Sequence, residues 1–198
     1  MKSTLAAALL AIAPILYAAT TDMTIAGFTL GAPLTIPQCD DQPHSMSVPT
    51  NMPCYRNQSR YLRSSDLGTP GWKVVTIMIG FGPRPAILNG SQIEAFIRDD
   101  TLVAVKFSTN GSQSQSSDLQ TLIEKYGKPT SRKVERFQNG FGAKFEGVVA
   151  VWRLRDLLVQ FESIFPDLET GLVAVALPEG IELINADVKR LSGNKSKL

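Results

Sequence analysis

Two cysteines and a single histidine are all the thiol and imidazole chemistry this chain has to offer. Cys39 and Cys54 lie close in sequence without a Cys-x-x-Cys spacing, and in an exported chain such a pair reads as a disulfide rather than a redox or metal centre. A bridge there closes a loop of about 16 residues, worth roughly 3 kcal/mol by chain entropy. His44 sits inside that loop and is the one base a Ser-His-Asp unit could use, yet no Gly-x-Ser-x-Gly elbow presents a nucleophile to it. A solvent-facing loop histidine is the better reading. Two cysteines held in a disulfide and one histidine cannot close a tetrahedral zinc shell.

Asp40-Asp41 and Asp99-Asp100 are the acidic pairs that could ligate calcium or act as acid and base. Neighbours in extended backbone point to opposite sides, and no Asp-x-Asp-x-Asp-Gly loop is present, so both pairs read as turn residues. The run Gly80-Phe81-Gly82-Pro83-Arg84-Pro85 has the wrong glycine spacing for phosphate, and its prolines remove donors. The expectation is therefore no catalytic residue, no metal and no cofactor. Recognition is the remaining chemistry. The tethered loop carries Met46, Met52, Tyr55, Arg56, Tyr61 and Arg63, and Tyr and Arg are the side chains that most often anchor protein interfaces. Tyr55, Arg56 and Tyr61 are the candidate partner-binding residues.

These residues must be held by a scaffold whose elements are partly legible. Residues 74–81 are β-branched and apolar. Residues 92–97 and 101–107 flank Arg98-Asp99-Asp100 as a hairpin, and 148–154 and 157–164 flank Arg155-Asp156 as another. Further strands are expected at 132–137 and 172–177, with a short one near 26–37. In 117–126 the residues Leu119, Leu122, Ile123 and Tyr126 form one helical stripe. Ser117 with Gln120 reads as a capping box, and Gly127 and Pro129 end the helix. Residues 181–191 suggest a short C-terminal helix. The order predicts an α+β domain: a single antiparallel sheet of about five to seven strands, with the main helix 117–126 on one face and a short C-terminal helix. No internal repeat is evident.

Lys2 followed by the apolar run 5–16 and the small residues around Ala18-Ala19 reads as a signal peptide spanning 1–19. The run is too short for a spanning helix, so the mature chain is expected to be soluble, without a transmembrane segment, and periplasmic or secreted. The organisation expected is a single domain over 20–191, with the loop 39–70 tethered by the disulfide and a flexible basic tail at 192–198. The sequence has 20 basic and 18 acidic residues, and removal of Lys2 leaves 19 against 18. That near-neutral balance argues against a nucleic-acid surface.

Gly27-Phe28-Thr29-Leu30-Gly31-Ala32-Pro33, and Leu122-Ile123-Glu124-Lys125-Tyr126-Gly127-Lys128-Pro129 leading into a hairpin, resemble small exported bacterial proteins built from helix-hairpin units. The nearest group is the β-lactamase-inhibitor-protein-like fold, shared with the small lipoprotein of the outer-membrane β-barrel assembly machine. Two features depart from it: there is no lipid-bearing cysteine, and one helix-hairpin unit is legible rather than two. The resemblance implies a non-enzymatic protein that binds other proteins and assigns no functional residue. The leading expectation is an exported, soluble, non-enzymatic protein-binding domain of the inhibitor, immunity or envelope-assembly type, its partner another envelope or extracellular protein. The alternatives are a small periplasmic hydrolase with His44 as base, and a small apolar-ligand carrier. Intact mass of the exported protein is expected to show loss of roughly 19 residues and two hydrogens fewer than the dithiol. Retention of the leader, or two titratable thiols, would contradict this.

Overall fold

Alternation of apolar and polar residues sets most of the architecture. The computed structural model describes residues 21–39, 52–57, 71–80, 84–138, 142–182 and 184. Its elements, in chain order, begin with β1 (Thr24–Ile25), β2 (Phe28–Thr29), β3 (Cys54–Asn57), β4 (Trp72–Met78), β5 (Gln92–Arg98) and β6 (Thr101–Thr109). A 3-10 turn at Gly111–Gln113 leads into α1 (Gln115–Tyr126). Then come β7 (Ser131–Gln138), β8 (Lys144–Arg153), β9 (Leu158–Glu162) and β10 (Gly171–Ala176). Residues 178–182 form a short helical turn.

β3 to β10 make one antiparallel sheet in the order β3-β4-β5-β6-β10-β9-β8-β7, and β1-β2 form a separate two-stranded ribbon. The large sheet is two four-stranded meanders, β3–β6 and β7–β10, whose last strands pair antiparallel. That connectivity has a topological two-fold axis normal to the sheet, between β6 and β10. Each meander is preceded by Gly-x-Pro, Gly31-Ala32-Pro33 and Gly127-Lys128-Pro129, with φ of 82° and 77° at the glycines, a conformation that side chains disfavour.

One face of the sheet packs against α1 and the β1-β2 ribbon. Leu119, Leu122 and Tyr126 of the helix join Ile25, Leu30, Ile77, Val105, Trp152, Phe161 and Val173 in a single core. Trp152 Nε1 donates to Gly127 O at 2.7 Å, fixing the helix C-terminus to β8. Ser163 Oγ accepts from Val148 N–H at 2.7 Å and donates to Gln115 Oε1 at 2.9 Å, fixing the other end. On the opposite face Ile181 and Ile184 cover a smaller cluster of Trp72, Val74, Phe96, Ala104, Ala174 and Ala176.

The expected α+β class, with a sheet of five to seven strands, is corrected. Among the described residues the molecule is mostly β, with eight strands in the main sheet and a second, two-stranded sheet. The added strand is β3, a short polar Cys-Tyr-Arg-Asn segment with no apolar alternation to reveal it. It is held instead by the Cys39–Cys54 disulfide, Cα–Cα 5.0 Å, and by bonds from Cys39 N–H to Tyr55 O (2.8 Å) and Tyr55 N–H to Pro37 O (2.9 Å). The expected short strand at the front is a tight hairpin turning at Ala26-Gly27, where both residues have positive φ.

The helix is longer than expected, and its capping box does not form. α1 starts at Gln115, because the 3-10 turn feeds straight into it. Ser117 Oγ donates to Ser114 O (2.8 Å) and Gln120 Nε2 to Glu124 Oε1 (2.9 Å). Asp118 occupies the first turn, hydrogen-bonded by the Ser114 hydroxyl, where the helix N-terminus favours negative charge. Both hairpins and the Gly127 C-cap stand as expected. Leu122→Ala should destabilise by about 2–5 kcal/mol, since its side chain is fully enclosed. Glu124→Ala should stay within about 0.5 kcal/mol. Urea unfolding of both variants checks this; equal effects would mean the stripe does not carry the helix–sheet contact.

Candidate functional site

Antiparallel register places every second residue of each strand on one face, so rows of directly opposed residues can be followed across the sheet. One row runs Asn57, Val75, Ala95, Val105, Val175, Val159, Trp152. Past Asn57 it is wholly apolar and lies under the helix side. The neighbouring row, on the other face, crosses all eight strands: Arg56, Thr76, Glu94, Lys106, Ala174, Gln160, Val151, Ser131. It is predominantly polar. Beside it run Ser108, Leu172, Glu162, Val149 and Lys133, so charged and aliphatic side chains are interleaved.

Glu94 and Lys106 stand at the middle of this face as an ion pair, and only 11% of the Lys106 side chain remains exposed, against 25% for Glu94. The Lys106 ammonium also lies 5.9 Å from the centre of the Phe96 ring, within cation–π range. Around the pair is a depression of about 290 Å³, bounded by Thr76, Gln92 and Ser108 of the sheet and by Phe165, Pro166 and Thr170 of the β9–β10 connection. Gln160 Nε2 donates to Glu162 Oε1 at 2.6 Å farther along the face. One carboxylate and one ammonium pair directly here. The described residues contain no group of three His, Cys, Asp or Glu that could hold a metal.

The sequence-derived candidates fall in different places. Arg56 is exposed at the end of the polar row. Tyr55, its neighbour, points to the other face and is half-buried against the main core. Strand geometry therefore keeps these two from forming one contact patch. Tyr61 and His44 lie outside the described residues, as do the leader 1–19 and the tail 192–198. Cys39 and Cys54 are disulfide-bonded. Asp99 and Asp100 are the turn of the β5–β6 hairpin, at φ of 45° and 63°, with Asp100 paired to Lys73 at 3.0 Å. Asp40-Asp41 lie outside the described residues.

Glu94, Lys106 and Gln160 did not stand out from the sequence. Their signal is a polar residue at alternate positions inside otherwise apolar strands: Gln92 and Glu94 in β5, Lys106 and Ser108 in β6, Gln160 and Glu162 in β9. Titratable groups displaced from their ordinary values lie elsewhere. Burial pushes the Asp118 carboxyl up, against the lowering effect of its hydroxyl partners. Burial, with the nearby Asp22 charge, raises the Tyr126 hydroxyl beyond the ordinary tyrosine range. A hydrogen bond from Lys125 lowers Asp22 and ties the start of the described chain to α1. All three belong to helix packing.

No helix among the described residues is long and apolar enough to cross a membrane. Lys106→Met should leave the Glu94 carboxylate without its ammonium and cost about 2 kcal/mol, less than the ~3–5 of a fully buried pair because Glu94 keeps some water. Glu94→Gln/Lys106→Met together should cost less than Lys106→Met alone; a double-mutant cycle by chemical denaturation decides, and strict additivity would refute the coupling. No protein-family model, no curated protein and no solved structure matches this chain.

Proposed function

We propose that the chain is an exported protein-binding domain, of the inhibitor, immunity or envelope-assembly type, that meets another envelope or extracellular protein on the open face of its sheet. The observation behind this reading is the polar row that crosses all eight strands opposite the helix. A face destined only for solvent has no need of half-buried Val149, Val151 and Leu158 between its charges. A face destined for the core would not hold Glu94, Lys106, Gln160 and Glu162. Interleaved aliphatic and hydrogen-bonding groups on rigid strands are what a protein interface needs. The disulfide and the signal-like leader support export. The sequence resemblance to the inhibitor-protein-like group points the same way.

Site-specific crosslinking tests the reading. A photoreactive residue at Gln160 or at Arg56 should yield one discrete adduct in the exported compartment, and the same residue at Glu124 on the outer side of α1 should not. Identical patterns from all three positions, or adducts from Glu124 alone, would overturn it. The variants must melt within a few degrees of wild type for the comparison to count.

A small apolar-ligand carrier is the second reading, favoured by a cleft of about 580 Å³ between the β1-β2 ribbon and the sheet, lined by Phe28, Pro33, Leu34, Ile36, Ile79 and Leu102. Native mass spectrometry of the purified chain would show a bound lipid-sized mass under this reading and none under the first.

A further inference from the structure

The two edges of the sheet, β3 and β7, are equivalent under the topological two-fold, yet they are finished differently. Outside β3 lie residues 37–39, bonded to Tyr55 through Cys39 N–H and Pro37 O and bridged at Gln38. The disulfide staples that segment in place. Outside β7, among the described residues, no backbone group pairs with the strand. β7 is also the longer edge: it runs eight residues against β8 in unbroken register from Ser131–Val151 to Gln138–Lys144.

An unprotected edge invites pairing, and the side chains of β7 say with what. Arg132, Val134 and Arg136 share one face by alternation, opposite Ala150, Val148 and Glu146. Val134 is 53% exposed, one of two large apolar side chains so exposed among the described residues. Arg136 lies 3.5 Å from Glu146, both well exposed. On the other face Lys133 pairs with Glu135. The strand thus carries three cations and one anion. Two copies meeting edge to edge would bring together two strands of net positive charge. In the register centred on Val134, Arg132 would face Arg136 twice. These charges oppose self-pairing and favour an acidic strand.

We infer that the outer edge of β7 accepts an extended acidic segment of a partner protein as a ninth strand, with an acidic, an apolar and an acidic side chain at alternate positions opposite Arg132, Val134 and Arg136. This rests on the protein-binding reading above and names the chemistry of the partner. The pattern reads the same in both directions, so it fits parallel or antiparallel addition. Main-chain hydrogen bonds supply the affinity and the alternate side chains the selectivity. The added strand would extend the open face beyond Ser131 and Lys133, continuous with the polar row.

The probe is an N-acetylated octapeptide of threonines with glutamate, valine and glutamate at positions three, five and seven, titrated into the isotopically labelled full chain. Amide shifts and new exchange protection are expected along 131–138, with affinity falling as salt rises. Arg132→Glu/Arg136→Glu, checked for folding by circular dichroism, should weaken binding by at least about tenfold. A peptide N-methylated at every residue should not bind, because neither of its edges can form the ladder. The inference is overturned by shifts mapping elsewhere, by no shift at millimolar peptide, by binding indifferent to charge reversal or N-methylation, or by dimerisation of the chain through β7. The peptide needs no native partner, so its failure is separate from a failure of crosslinking at Gln160.

Discussion

The β6–β10 ladder is what makes one sheet out of two meanders. Six consecutive pairs, from Gly171–Thr109 to Ala176–Ala104, join them, and every residue of β10 is buried. A strand buried on both faces has no polar alternation to hold its register, so its place is set by what packs on either side. Val105, Phe107, Val173 and Val175 connect the core under α1 to the core under the β1-β2 ribbon. Ala104, Ala174 and Ala176, on the reverse, are small enough for Ile181 and Ile184 to close over them. Slipping this ladder by one residue would exchange the two sets and leave both cores unfilled.

From that constraint the unequal use of the two faces follows. α1 and the ribbon cover the valine-rich rows, and the short helical turn covers one corner of the other side. The remainder of that side keeps its polar row. Glu94 and Lys106 sit directly opposite each other next to the irregularity in the β5–β6 register at Phe96/Ile97. A bulge is where pairing is easiest to misalign. A one-residue slip of β5 against β6 would carry Glu94 to the apolar face, away from Lys106, where the carboxylate could not be solvated. The pair therefore penalises the wrong register more than it stabilises the right one, the role best attested for buried ion pairs.

Much of this scaffold was legible in the sequence, and the exceptions have physical causes. Hairpins with Asp99-Asp100 and Arg155-Asp156 at their turns carry local signals, because turn chemistry and alternation lie within a dozen residues. The stripe of Leu119, Leu122 and Tyr126 is likewise local. β3 was missed because what holds it is a bridge and two backbone bonds from residues 37–39, contacts that leave no pattern in Cys-Tyr-Arg-Asn itself. The capping box failed because a 3-10 turn, anchored by bonds from Ser112 N–H and Oγ to Leu168 O, starts the helix two residues early. The paired meanders were hidden because the two halves share connectivity rather than sequence, and one of them carries a disulfide loop and the other a helix. The polar row was hidden for a different reason: it is a property of register between strands far apart in sequence, and no single strand displays it.

The disulfide acquires a purpose beyond stability in this light. A loop of its size gains roughly 3 kcal/mol from closure, but the place it closes is the edge of the sheet. By fastening residues 37–39 beside Tyr55 it occupies hydrogen-bonding groups that would otherwise be open to any extended chain. An antiparallel sheet of eight strands always has two such edges, since only closure into a barrel removes them. One edge here is bonded from within the chain at Tyr55, and the other, among the described residues, presents charge. Charge guards selectively: it repels a copy of the same strand and leaves an oppositely charged one free to approach. A covalent cap has no such selectivity. The asymmetry between the two edges is thus one of kind: backbone groups of Tyr55 at one are taken up within the chain, and among the described residues the other meets an approaching strand with its charged side chains.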